Sequence, residues 1–143
     1  MNSETHFNLA AVRVNRTQFG TLTEAACILM TLGAWAFLLV TGIESSRLAV
    51  KLIVMALLTL ALAYLLMSTY RPRLMAWGFT IVNIRQLDLL IWAVRILAVE
   101  LCLCMWACTF CPLLHSQWPV KGVVIAMVAT RFIAEIIIER SRK

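Results

Sequence analysis

The sequence predicts an all-α integral membrane protein, a four-helix bundle with both termini in the cytoplasm and an interfacial segment between its second and third helices. Three observations carry that expectation. Of 143 residues, 62% are hydrophobic and 14% charged, against roughly 45–50% and 25% in soluble domains, and the mean hydropathy is +0.88. Four stretches approach the ~20 apolar residues needed to cross ~30 Å of hydrocarbon. Lys and Arg are dense on alternate flanks of those stretches. The same balance excludes a soluble globular domain, a disordered tail, a disulfide-stapled miniprotein and a collagen-like fibre.

The first 20 residues are mixed polar, with no apolar core ahead of a small-residue cleavage site, so they do not read as a cleaved signal peptide. The first span is expected over residues 25–43 and the second over 52–70, both without a charge. The third, over 89–114, carries Arg95 and Glu100; the fourth, over 120–138, carries Arg131 and Glu135. No repeat at a fixed period and no low-complexity linker divides the chain, which reads as one membrane domain over residues 1–143.

Orientation follows from the flanks. Arg13 and Arg16 precede the first span, Arg71, Arg73 and Arg85 lie between the second and third, and Arg140, Arg142 and Lys143 follow the fourth. The other two loops hold only Arg47, Lys51 and Lys121, so both termini and the middle loop are expected in the cytoplasm of a bacterial inner membrane. The +6 charge therefore reports topology, and no nucleic-acid partner is expected. In the middle loop, Pro72 bars helical continuation, Gly78 breaks the apolar run, and Trp77 and Phe79 suit the headgroup layer. With Arg71 and Arg73 they predict a segment lying on the membrane surface and favouring anionic lipid.

Small residues let helices approach in lipid. Candidate packing stripes are Cys27, Thr31 and Ala34 in the first span, Ala56, Thr59 and Ala63 in the second, and Gly122, Ala126, Thr130 and Ala134 in the fourth.

Ionisable residues inside a bilayer are expensive and point either to helix pairing or to an ion, proton or ligand role. At 1.5 Å per residue, Arg95 and Glu100 lie roughly 9 and 16 Å from the cytoplasmic edge, and Glu135 and Arg131 roughly 6 and 12 Å. Those depths suit Arg95 with Glu135 and Glu100 with Arg131. However, Arg95 and Glu100 stand about 140° apart around the helix, and Arg131 and Glu135 can also pair at i, i+4.

The third span ends in LCLCMWACTFCP, which places Cys104, Cys108 and Cys111 on the side of Glu100. Three readings follow. The CxxC of Cys108 and Cys111 resembles that of quinone-linked thiol oxidases of the DsbB and vitamin K epoxide reductase type. That resemblance implies a redox pair with quinone as the electron acceptor, although neither outer loop supplies the second cysteine pair of those families. Cys104, Cys108, Cys111 and His115 could instead surround a metal, at none of the usual zinc spacings. Or the cysteines fill a helix interface as small apolar residues. No GxSxG, Walker, HExxH or dinucleotide motif is present, and no cofactor is implied outside the redox reading.

Thr17, Phe19, Glu24 and Trp35, followed by Pro72, Trp77, Ile81 and Arg95, resemble in order and spacing a family of small bacterial multispanning proteins. That family is related to the domain of unknown function in SdpI-type immunity proteins. The resemblance implies protection against a membrane-active toxin and signalling to a repressor. The function expected is that of an accessory or immunity and signalling protein, non-enzymatic, acting through helix contacts with the lipid bilayer, other membrane proteins or a second copy. The alternatives are a thiol–disulfide oxidoreductase using Cys108 and Cys111, and a small transporter or ion-coupling subunit.

Overall fold

A computed structural model describes residues 13–42, 47–75 and 81–141. Among them the regular structure is entirely helical: α1 (Gln18–Gly42), α2 (Leu48–Ser68), a single turn α3 (Pro72–Met75), α4 (Ile84–Leu114) and α5 (Trp118–Arg140). Three helices are long and apolar enough to cross a membrane, over Gln18–Thr41, Leu48–Ser68 and Ile84–Cys111. The fourth long helix, α5, does not join them, because Lys121, Arg131, Glu135, Glu139 and Arg140 fall within its 23 residues.

Helix ends lie outside the apolar runs because polar caps set them. α1 begins seven residues before residue 25, where the Thr17 hydroxyl accepts the Gly20 amide at 3.1 Å. α4 begins five residues before residue 89, at a capping box: the Asn83 side chain accepts from the third helical residue, and Gln86 Oε1 accepts the Asn83 amide at 3.3 Å. At about 46 Å, α4 exceeds the hydrocarbon thickness, so its polar first turns, with Arg85 and Asp88, suit the headgroup layer. It runs through Pro112, losing one backbone hydrogen bond, and closes on His115 in the left-handed region at φ 48. Pro72 opens α3 after α2 has ended at Ser68, the break expected there.

Helix α4 is the centre. Half of its apolar stretch (50%) is buried, against 22% in α1 and 17% in α2, and it touches every other helix, whereas α5 touches α4 alone among the described residues. Helices α1 and α4 run parallel, since Phe19 meets Trp92 and Phe37 meets Phe110, with ring centroids 5.0 and 4.9 Å apart. Helices α2 and α5 run the other way, since Glu24 meets Tyr70, Trp35 meets Thr59, and Gln86 meets Ile138. The starts of α1 and α4, the ends of α2 and α5, and α3 therefore share one end of the molecule. Arg13, Arg16, Arg71, Arg73, Arg85 and Arg140 belong to that end; Arg47, Lys51 and Lys121 belong to the other.

The stripe on α1 is the packed face: Cys27, Thr31, Ala34 and Leu38 are buried at spacings of four, three and four. The other two stripes are corrected. On α2, Met55, Leu62, Leu65 and Ser68 are buried while Ala56 and Ala63 are exposed, so large side chains fill that interface. On α5, Thr130 and Ala134 are partly buried and Ile138 is buried, but Gly122 and Ala126 are exposed. Nothing stands within 4 Å of a Cβ built on Gly122.

Candidate functional site: polar groups within the helix packing

The four ionisable residues expected in the spans separate into two places. Glu100, near the middle of α4, faces α5 and accepts the Thr130 hydroxyl at 2.7 Å; its Oε2 is buried and, among the described residues, accepts no hydrogen bond. Arg131 meets Glu135 on its own helix, Nη1 to Oε2, at 3.2 Å. This is the within-helix arrangement that i, i+4 spacing allows. The expected pairing of Arg95 with Glu135 does not form. With Glu100 facing α5, the ~140° offset turns Arg95 toward α1, where its guanidinium lies so near Gly20 that a Cβ there would stand 2.5 Å away.

Arg95 thereby joins a polar corner at the basic end. The Tyr70 hydroxyl, just past α2, donates to Glu24 of α1. The Arg16 guanidinium lies over the Tyr70 ring, 5.4 Å from its centroid. The Tyr70 phenol is held above the usual tyrosine range by its burial first and by the Glu24 hydrogen bond next; Arg16 and Arg95 oppose that shift. Glu24 and Arg95 are visible in the sequence only as separate residues, and Tyr70 is hidden at the end of the apolar run that forms the second expected span.

A second polar tie was also missed. Gln86 is fully buried; its Oε1 accepts the Val82 and Asn83 amides, and its Nε2 donates to the Ile138 carbonyl at 3.1 Å. One side chain thus caps α4 and clamps the end of α5. The spacing of Asn83 and Gln86 was the available signal.

The five cysteines are free thiols. Cys108 and Cys111 are half-buried, one turn apart on a single helix. Among the described residues no group of three His, Cys, Asp or Glu side chains is close enough together to hold a metal ion. A cross-helix thiol contact lies elsewhere. Cys27 and Cys102 touch at the α1–α4 interface, with Cys102 Sγ 3.7 Å from the Cys27 carbonyl and 3.9 Å from the Thr31 hydroxyl. Tryptophans tie the same layer: Trp35 Nε1 donates to Thr59 Oγ1 at 2.9 Å and Trp106 Nε1 to the Met30 carbonyl at 3.1 Å.

Of the expected surface residues, Arg71 and Arg73 are exposed beside and within α3, while Trp77 and Phe79 lie outside the described residues. α3 is tied back to α2 by the Tyr64 hydroxyl, which donates to the Leu74 carbonyl at 3.1 Å.

Comparison with known proteins found no matching family model, curated protein or solved structure.

Proposed function

We propose that this chain is a four-span accessory protein of the bacterial cytoplasmic membrane, of immunity or signalling type, acting through helix contacts within the bilayer. The observation that carries the reading is the state of α5. Among the described residues it packs on α4 alone, Arg131 and Glu135 on it meet each other, and its outer surface presents Ile125, Val128, Phe132, Ile133 and Ile136. A helix with that outer face suits lipid or a neighbouring helix and does not suit water. The alternating helix directions gather the arginine-rich segments at one end, which supports placing both termini and α3 in the cytoplasm. Residues behind the SdpI-type resemblance, Thr17, Phe19, Glu24 and Arg95, converge on the same end.

Site-specific photocrosslinkers in membranes of the native host test the reading. Positions 125, 133 and 136 on α5, which lie outside the groove between α2 and α5, are expected to capture one defined membrane protein or a second copy, and position 29 on the outer face of α1 to capture neither. Lipid adducts alone at every α5 position would overturn it.

A second reading, ion or proton coupling, is favoured by one observation: the Glu100 carboxylate is mid-helix, bonded to Thr130 on one oxygen and, among the described residues, unbonded on the other. Flux through proteoliposomes that is lost on Glu100→Gln would select it. Absence of flux from the unaltered protein would discard it.

A further inference from the structure

We propose that α2, α4 and α5 form a binding site for one anionic phospholipid, with an acyl chain in the groove between α2 and α5 and the phosphate under Arg71 and Arg73. The site rests on the membrane reading above. Because α2 and α5 each pack on α4 and not on each other, they leave a slot whose floor is Leu97 and Leu101 and whose walls include Leu65 and Phe132. Its volume is about 460 Å³, within the ~300–1,000 Å³ of clefts that hold small ligands. The lining is carbon except toward the basic end, where Tyr64 and Arg131 border it.

Tyr64 links this groove to charge. Its side chain forms part of the wall and its hydroxyl donates to the Leu74 carbonyl at 3.1 Å, so the turn that carries Arg71 and Arg73 is tied to that wall. That segment is pinned on both sides of Arg71: the Arg71 amide donates to Ser68 and the Leu74 amide to Arg71. Both arginines are exposed. Glu135, one turn beyond the groove residue Arg131, is engaged by it. A cationic mouth over an apolar slot complements a phosphate joined to a hydrocarbon tail. An inorganic phosphate would forgo the slot, and a zwitterionic lipid would forgo the net charge. Each arginine near the membrane surface favours anionic lipid by about fivefold, hence roughly twenty-fivefold for both before salt screening.

The test uses the full chain reconstituted in phosphatidylcholine vesicles with and without phosphatidylglycerol. Flotation with the vesicles comes first; a chain that stays in the aqueous phase overturns the membrane reading itself. Native mass spectrometry of the re-extracted protein then counts retained lipid. The expected result is one phosphatidylglycerol kept in preference to phosphatidylcholine and not displaced by inorganic phosphate. The Arg71→Ala, Arg73→Ala variant is expected to keep a lipid without that preference. Ala61→Trp, at an exposed position lining the slot, is expected to lose the lipid while keeping its helical circular dichroism. Equal retention of both lipids by the unaltered protein overturns the site, as does displacement by inorganic phosphate. A preference that survives the arginine variant overturns it too, whether or not the tryptophan variant folds.

Discussion

Replacing Gln86 by Leu tests whether one buried amide joins the start of α4 to the end of α5. Three hydrogen bonds are lost, at 2.8, 3.3 and 3.1 Å. Val82 and Asn83 are exposed, so their freed amides regain water, and the loss there is that of a helix cap, about 1 kcal/mol. The Ile138 carbonyl is buried but keeps the Ser141 hydroxyl at 2.8 Å, so losing the amide donor adds about 0.5–1.5 kcal/mol. The expected destabilisation is therefore about 1.5–2.5 kcal/mol, read from reversible unfolding in mixed detergent micelles followed by tryptophan fluorescence. Gln86→Glu separates the two parts. Its carboxylate still accepts both amides but sets an acceptor against the Ile138 carbonyl, so amide exchange should stay protected at the start of α4 and rise at the end of α5. A Gln86→Leu variant within about 0.5 kcal/mol of the unaltered protein would refute the clamp.

Two glycines give opposite expectations. A Cβ at Gly33 would meet the Trp106 ring at 3.0 Å, and that ring is held by its bond to Met30, so Gly33→Ala should destabilise by about 1 kcal/mol or more. Gly122→Ala enters open space and should gain up to about 1 kcal/mol of helix propensity; the same unfolding assay compares them. Cys27 and Cys102 should form a disulfide with copper phenanthroline, seen as a shifted band on a non-reducing gel and abolished by Cys27→Ser. Closing that loop of 75 residues should add about 4–5 kcal/mol of stability in the chain-entropy picture. A disulfide between Cys108 and Cys111 would join one helix to itself and should leave the unfolding midpoint nearly unchanged.

The apolar runs made the helices legible, because only helices and closed barrels satisfy a backbone in lipid and uninterrupted runs of about 20 apolar residues suit the helix. Their ends were not read from those runs, since Thr17 and Asn83 cap the helices in polar sequence beyond the hydrophobic stretch. The packed face of α1 was legible from Cys27, Thr31 and Ala34 because small residues line it. On α2 the composition is apolar all round, so Ala56 and Ala63 marked a face that Met55 and Leu62 occupy instead. The candidate site was legible as a set of charged residues and not as contacts. The helical-wheel offset was enough to part Arg95 from Glu100, but the choice of Gly20 and Tyr70 as neighbours depends on α1 and α4 being parallel. That arrangement is a property of the whole chain and of no local pattern.

If α5 crosses the membrane as a fourth span despite its five charged residues, both termini lie on one side. Alkaline phosphatase and green fluorescent protein fused in turn to the C-terminus, with the N-terminus located in parallel, test it most directly. Both termini in the cytoplasm require a fluorescent fusion and an inactive phosphatase. An active phosphatase at the C-terminus with the N-terminus inside would leave three spans and rule out a transmembrane α5.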